Sequence, residues 1–479
     1  MSEMTKSFSF KVGLFGIGLE AYWSQFEGLK PRLEGYLRIV EKKLAAHHTE
    51  IVNLGLIDNP EKALEAGHTF RQADVDIIFL YATTYALSST VLPVLQRTRV
   101  PVIILNMAPE AAIDYDAFNK MSDRTRMTGE WLAFCGACPV PEIANVLQRA
   151  GIQFRQVNGA MHNDNDWEEV SEWIDAARVA HTMAHNRMGA MGHYYGGMLD
   201  IYSDFTQQCV CFGGHIEMIE VDELSALRRS VSAQQIKDRV HHFGERFDVQ
   251  FDCALEELEK AARTSVALDQ LVEKHRLGSL AYYYQGTGIQ ENEDTISSII
   301  LGNSLLTARH IPVAGEYEIK NVQAMKIMDA FGAGGSFTEF YAMDFNDEVI
   351  LMGHDGPGHI AIAEGKPKVR PLKAYHGKVG SGLSIEMSVK NVPVTLLSVA
   401  HSRNGPLMLS SAEGASLTGP TLEIGNTNSR YRFPMPIRKF VNDWNAQGPA
   451  HHCAVGIGHL NSRIKKLGAL LGMDTVSVC

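Results

Sequence analysis

The chain has 479 residues and a formal net charge of −11, from 44 basic and 55 acidic side chains. It has no basic block, so phosphate-backbone binding, which needs clustered cations, is excluded as a main task and nucleic acid is not an expected partner. With 45% hydrophobic and 21% charged residues, no bilayer-length apolar run and no signal-type opening, it is expected to be a cytoplasmic globular protein of roughly three domains, not a membrane protein.

The first third alternates strand and helix patterns. Residues 10–15 read as a strand entering Gly16-Ile-Gly18, and a helix follows with Leu33, Leu37, Val40 and Leu44 on one face. Residues 74–81 and 100–105 are short apolar runs of the kind buried in parallel sheets, and 141–150 reads as a helix. This order predicts a doubly wound α/β domain over residues 1–165. Gly16-Ile-Gly18 lacks the third glycine of a dinucleotide fingerprint, so a tight strand-to-helix turn is the better reading. Cys135 and Cys138 have redox or zinc spacing, and Cys209 and Cys211 form a close pair. Small thiols in a reducing compartment remain the simpler account of both pairs.

The polar stretch 158–166 reads as a crossover into a central α/β domain, residues 166–310, helical from about 232 to 275. Beyond Ile311 the character changes. Strand-like runs at 348–352, 394–400, 407–411, 422–424 and 430–432 alternate with Gly, Pro and Asn turns, before a last helix at 460–471 that Gly472 ends. The expected fold class is α/β: two doubly wound α/β domains followed by a mainly antiparallel, barrel-like β domain over 311–479.

Four residues of that last region stand out. Glu316 lies in Val313-Ala-Gly-Glu-Tyr-Glu318, Glu339 in Gly334-Gly-Ser-Phe-Thr-Glu-Phe-Tyr341, His354 before Asp355-Gly-Pro-Gly358, and His452 in the pair His451-His452. Two carboxylates and two imidazoles suit a divalent first-row metal with open positions for a substrate. In that order, and with the opening Gly18-Leu-Glu-Ala-Tyr-Trp23, the constellation resembles the L-arabinose isomerase family, in a divergent arabinose isomerase-like branch. The resemblance is strongest from about Gly315 to His359 and around Ala450-His-His-Cys453.

The resemblance implies an aldose–ketose isomerase acting on a free pentose or deoxyhexose. A metal, Mn²⁺ with Co²⁺ or Mg²⁺ as alternatives, would be held by Glu316, Glu339, His354 and His452. Glu316 and Glu339 would also move the proton between C1 and C2 through an enediolate. His451 would contact substrate, serve as an outer donor to the metal ligands, or simply be exposed. Met188 would line the sugar pocket or sit in the core. Glu20, Tyr22 and Trp23 would form the segment that a neighbouring subunit adds to the pocket, Trp23 stacking on a sugar face or packing in its own domain. A homotrimer or homohexamer is implied on that account. His359 reads as a loop histidine. The family's Ser-Gln-His run is replaced by Gly18-Leu-Glu-Ala21, and its His-Gly-Gly-Arg-Glu segment by Phe134-Cys-Gly-Ala-Cys138, so the sugar-recognition surface is rewritten. That rewriting leaves a metal-dependent lyase, epimerase or hydrolase on a modified sugar, or a non-catalytic sugar-binding protein, as alternatives.

Overall fold

The apolar runs at the head of the chain pair as parallel strands in the computed structural model, which describes residues 9–286, 288–372 and 381–479. The signal-free opening read from the first residues lies outside the described residues. β1 (Lys11–Ile17), β2 (Glu50–Ile57), β3 (Ile77–Tyr81), β4 (Val102–Ala108) and β5 (Phe154–Ala160) form one parallel sheet in the order β2-β1-β3-β4-β5. β3 is buried along its whole length, which is why its sequence shows no alternation. The helix Leu29–Ala45 lays the expected stripe of Leu33, Leu37, Val40 and Leu44 into the core. At Gly16 an added Cβ would fall 2.8 Å from Leu56, and Thr83 Oγ1 accepts from the Ile17 N–H at 2.8 Å. Gly16-Ile-Gly18 is thus a tightly packed strand end.

One expectation is corrected here. Residues 158–160 are the end of β5, and Asp164 opens a helix that runs to Ala184, so the polar stretch is a strand-to-helix turn. Asp166 holds that turn by accepting from the Ala160 N–H at 2.7 Å. Two compact units divide the chain, the first ending at His181 and the second running from Thr182 to Cys479.

The second unit begins with β6 (Arg187–Gly192) and β7 (His215–Ile219), followed by the short β8 (Asp248–Val249), then β9 (Ser279–Tyr283) and β10 (Val313–Ala314). Four of these make a parallel sheet in the order β10-β9-β6-β7. The helical stretch expected from 232 to 275 is two helices, Ala233–Arg246 and Leu255–His275, flanking β8. Ser232 starts the first with a reciprocal cap to Gln235.

The rest of the unit is largely β: β11 (Gly334–Asp344), β12 (Val349–His354), β13 (Lys368–Leu372), β14 (Gly382–Glu386), β15 (Pro393–His401), β16 (Leu407–Leu417), β17 (Thr427–Arg432), β18 (His452–Ile457) and β19 (Asp474–Ser477). Strands β15-β18-β11-β12-β17-β16 are antiparallel neighbours, and β15 pairs with β16 to close a six-stranded barrel. Closure satisfies strand edges that would otherwise be open to another chain. β19 pairs parallel to β16, and β14-β13-β8 form a separate small sheet.

Two expectations about this region fail. Residues 422–424 are loop, not strand. The helix Ile319–Ala330 was not anticipated; it packs on β11, β15 and β18 on one side and β9 and β10 on the other. It is buried from Ile319 to Asp329, so it carries no amphipathic stripe for a sequence reading to find. Of its two buried lysines, Lys326 donates to the His310 carbonyl at 2.8 Å and to Asp329 at 3.2 Å, and Lys320 donates to the Asp200 carbonyl. Among the described residues no helix is long and apolar enough to cross a membrane.

His359, read from sequence as a loop histidine, is only 4% exposed, and neither ring nitrogen meets another residue's polar atom among the described residues. Burial pushes its imidazole down to about 4, with Asp329 opposing and His310 reinforcing that effect. The unfolded chain takes up this proton near pH ~6.5, and the folded chain resists it. The stabilising contribution is therefore complete above that pH and lost as pH falls towards 4, by about 3 kcal/mol. His359→Phe should flatten the acid limb of stability by one proton. Denaturant unfolding of the second unit at neutral and mildly acidic pH measures this, and parallel profiles for the two proteins would refute it.

Candidate metal centre and substrate cleft

Glu316 sits where β10 runs out at the carboxyl end of a parallel sheet, the customary place for ligand groups in such folds. Glu316 and Tyr317 both adopt left-handed backbone, with φ of 58° and 60°. Two such residues in succession cost about 1–3 kcal/mol each, strain that folds commonly retain at functional sites. The reversal is held by hydrogen bonds from the Tyr317 N–H to the Tyr282 carbonyl at 2.9 Å and from the Glu318 N–H to the Gly315 carbonyl at 3.0 Å.

The barrel supplies the other groups. Glu339 on β11 lies opposite His452 of β18 and opposite Gly353 of β12. Phe337, two residues earlier on the same face, places its ring 4.3 Å from His354 and 4.4 Å from His452. Gly353 is forced: a Cβ there would fall 1.7 Å from the Thr427 carbonyl oxygen. Thr427 fixes the next residue from both sides, accepting from the His354 N–H at 3.0 Å and donating to its carbonyl at 2.8 Å. His354 Nδ1 lies 3.5 Å from Asp355.

These elements bring the four predicted residues together. Glu316, Glu339 and His354 line one cleft of about 440 Å³. His452 lies beneath it, 1% exposed, with Nε2 3.4 Å from Glu316 and its ring 5.1 Å from that of His354. The three donor groups already within 4.8 Å of one another are Glu316, His451 and His452. His451 thus belongs, with Glu316 and His452, to the group that could hold a metal ion among the described residues.

The two histidines differ electrically. Burial, reinforced by the neighbouring His451, pushes His452 down to about 3 and keeps it neutral. For His451, burial opposes the charge, but Glu316 and Asp200 outweigh it and raise the imidazole to about 9. Asp200 accepts from the His451 backbone N–H at 2.9 Å and meets its Nδ1 at 2.7 Å. Burial pushes the Glu339 carboxyl up to about 7, against the pull of His451 and with help from Glu316 and Asp355.

Three neighbours escaped the sequence reading. Glu318 is fully buried, 3.6 Å from His452 Nδ1 and 3.8 Å from Lys320, and burial raises it to about 7. Asp200 anchors His451 from the short 3-10 turn Leu199–Ile201, and Lys320 donates to the Asp200 carbonyl. The spacing of Glu316 and Glu318 was a signal, but two acids on a strand end are common.

The remaining predicted residues lie elsewhere. Met188 is a buried β6 residue beside Asn186 and Gln208, and it does not line the cleft. Met198, ten positions later by sequence number and past the end of β6, does. Glu20, Tyr22 and Trp23 belong to the first unit, in a short turn after β1. Glu20 is exposed, Tyr22 packs 5.8 Å from Phe26, and Trp23 lies over Gly18 and donates Nε1 to Asp58 at 2.8 Å. That unit has its own cavity of about 530 Å³, where Arg32 is already paired with Glu130 at 2.7 Å. The seven cysteines are free thiols, Cys135 buried and Cys138 exposed.

No family model and no curated protein matches the chain. Among solved structures, one similar chain is an ABC transporter solute-binding protein from Burkholderia multivorans, solved with an unknown ligand represented as alpha-D-erythrofuranose. It shares 12% identity, covering 64% of this chain and 98% of that one, at a TM-score of 0.16. A likeness that slight carries no argument, so function is argued from the cleft.

Proposed function

We propose that the chain is a divalent-metal-dependent aldose–ketose isomerase acting on a free pentose or deoxyhexose. The observation that carries this reading is the gathering of Glu316, Glu339, His354 and His452 at one cleft from two substructures of the second unit. The donors fit a divalent cation. His452 is a neutral imidazole with neither ring nitrogen hydrogen-bonded among the described residues, flanked by Glu316 and Glu318. A ligating histidine backed by a carboxylate on its far nitrogen is the usual arrangement at protein metal centres.

Glu316, Glu339, His354 and His452 would hold the ion, Mn²⁺ being the first choice and Co²⁺ or Mg²⁺ the alternatives. When bound, it would supply Lewis acidity, polarising the sugar carbonyl. The proton chemistry falls to the chain. Glu339, with a carboxyl near neutrality, suits taking a proton from one carbon and returning it to the next. His451, charged and held by Asp200, is placed to donate to a sugar oxygen. On this reading the protein works as a homotrimer or homohexamer, which sedimentation would report.

The test is a panel of free aldoses and ketoses incubated with Mn²⁺-loaded protein in D₂O and followed by NMR. Interconversion at constant mass, with deuterium entering beside the carbonyl, is the expected result. Fragments or hydrolysis products would mean a lyase or hydrolase. Binding without exchange would mean a sugar receptor.

A further inference from the structure

We infer that Cys135 and Cys138 form a thiol–disulfide exchange site on the first unit, which reacts with small-molecule disulfides through the exposed Cys138 and closes on the buried Cys135. This chemistry lies outside the cleft of the second unit and needs none of its residues.

The pair spans the turn between two helices, Arg124–Phe134 and Val140–Arg149. Cys-x-x-Cys spacing among parallel strands and their helices is the pattern of a redox dithiol. The turn sits at the carboxyl end of β3, the side of such a sheet where reactive groups gather. Three contacts with the segment after β3 fix it. Thr84 Oγ1 donates to the Leu132 carbonyl at 2.7 Å. A Cβ on Gly136 would fall 2.4 Å from the Ala82 carbonyl oxygen, which excludes a side chain between the cysteines at that point. The Tyr85 N–H donates to Cys135 Sγ.

The two sulfurs meet across this turn. The Cys135 and Cys138 thiols are hydrogen-bonded to each other, and the Cys138 backbone N–H also donates to Cys135 Sγ. Exposure separates their tasks, for Cys138 is open to solvent and Cys135 is only 6% exposed. Burial, reinforced by Cys138, pushes the Cys135 thiol up to about 12, against the two backbone N–H groups. A buried, protonated thiol is inert to reagents in solution. Cys138 is therefore the attacking sulfur and Cys135 the resolving one. Cys209 and Cys211 make no comparable pair, because they stand two positions apart on the helix Phe205–Phe212, where side chains diverge.

In the exchange, the Cys138 thiolate attacks a disulfide R–S–S–R, forming a mixed disulfide and releasing one thiolate, which takes up the proton Cys138 has lost. Cys135 then attacks Cys138 Sγ, and its proton leaves with the second thiol. The dithiol is oxidised to the Cys135–Cys138 disulfide, and two electrons and two protons reduce R–S–S–R to two R–SH.

The probe is oxidised glutathione, mixed with reduced glutathione at graded ratios without oxygen, and the readout is peptide mass mapping after acid quench and alkylation. The wild-type chain should lose two hydrogens between residues 135 and 138 and retain no glutathione there. This should happen at a proportion of oxidised glutathione at least about tenfold lower than any other cysteine requires. Cys135→Ala, which keeps a small apolar group in the buried position, should stop with one glutathione on Cys138, and Cys138→Ala should leave Cys135 unreacted. Alkylation of the reduced wild-type chain gives the order of attack without any variant: Cys138 should react at least about tenfold faster than Cys135. Glutathione retained on Cys138 of the wild type, faster alkylation of Cys135, or oxidation of Cys209 or Cys211 at an equal or lower proportion of oxidised glutathione overturns the inference.

Discussion

Glu339→Gln, assayed at saturating Mn²⁺, should lower turnover of any accepted sugar by about 10³-fold, within the roughly 10²–10⁴-fold worth of a positioned base. The amide keeps the shape of the carboxylate but cannot accept a proton near neutral pH. Its position will not drift, because β11 is paired on both sides at this residue, to Gly353 and to His452. Because Glu339 is also a proposed ligand, Mn²⁺ occupancy of the variant is measured alongside, and a loss at full occupancy reports chemistry. Deuterium entry from D₂O beside the carbonyl is the direct measure. A variant that keeps more than about a tenth of wild-type exchange would assign the proton to another group.

His452→Ala should have the largest effect on metal. His452 is neutral, buried and set between Glu316 and Glu318, so its removal takes away a ligand and leaves two carboxylates facing a void. Mn²⁺ affinity should fall by well over the roughly 10–100-fold that loss of an outer partner costs. Glu318→Gln, which touches only the far nitrogen, should fall within that roughly 10–100-fold range. His451→Gln should lose turnover more than Mn²⁺ affinity. Mn²⁺ titration by electron paramagnetic resonance orders the three variants. If His451→Gln loses metal as completely as His452→Ala, His451 is itself a ligand, as its place in the compact trio allows.

The alternation of apolar runs and helical stripes announced the parallel sheets, and the Gly-punctuated strands of the last third announced a barrel-like domain. Glu316, Glu339, His354 and His452 are picked out by their order and local sequence; His354 and His452 stand at strand ends and Glu316 just past one, whereas Glu339 lies in the middle of β11. What escaped depended on backbone reversals or distant pairing. Glu318 faces His452 only because Glu316 and Tyr317 turn through left-handed backbone. The 422–424 run, apolar enough to pass for a strand, is a loop tied down by Asn428, which accepts from the Leu422 N–H and donates to the Leu422 carbonyl. Met188 and Met198 share one glycine-rich segment, and only the end of β6 at Gly192 decides which of them can reach the cleft. The helix Ile319–Ala330 is enclosed by two layers of β-structure and had no polar face to declare it.

The chain leaves the parallel sheet at Glu316, passes through that enclosed helix and enters the barrel before Glu339. A cation bridging the two carboxylates would therefore rivet shut the segment between them, much as a crosslink does. Amide hydrogens of the helix should then exchange with solvent more slowly as Mn²⁺ saturates the protein, and the second unit should melt at a temperature that climbs with free metal concentration. Loading state would become a property of the scaffold as well as of its chemistry.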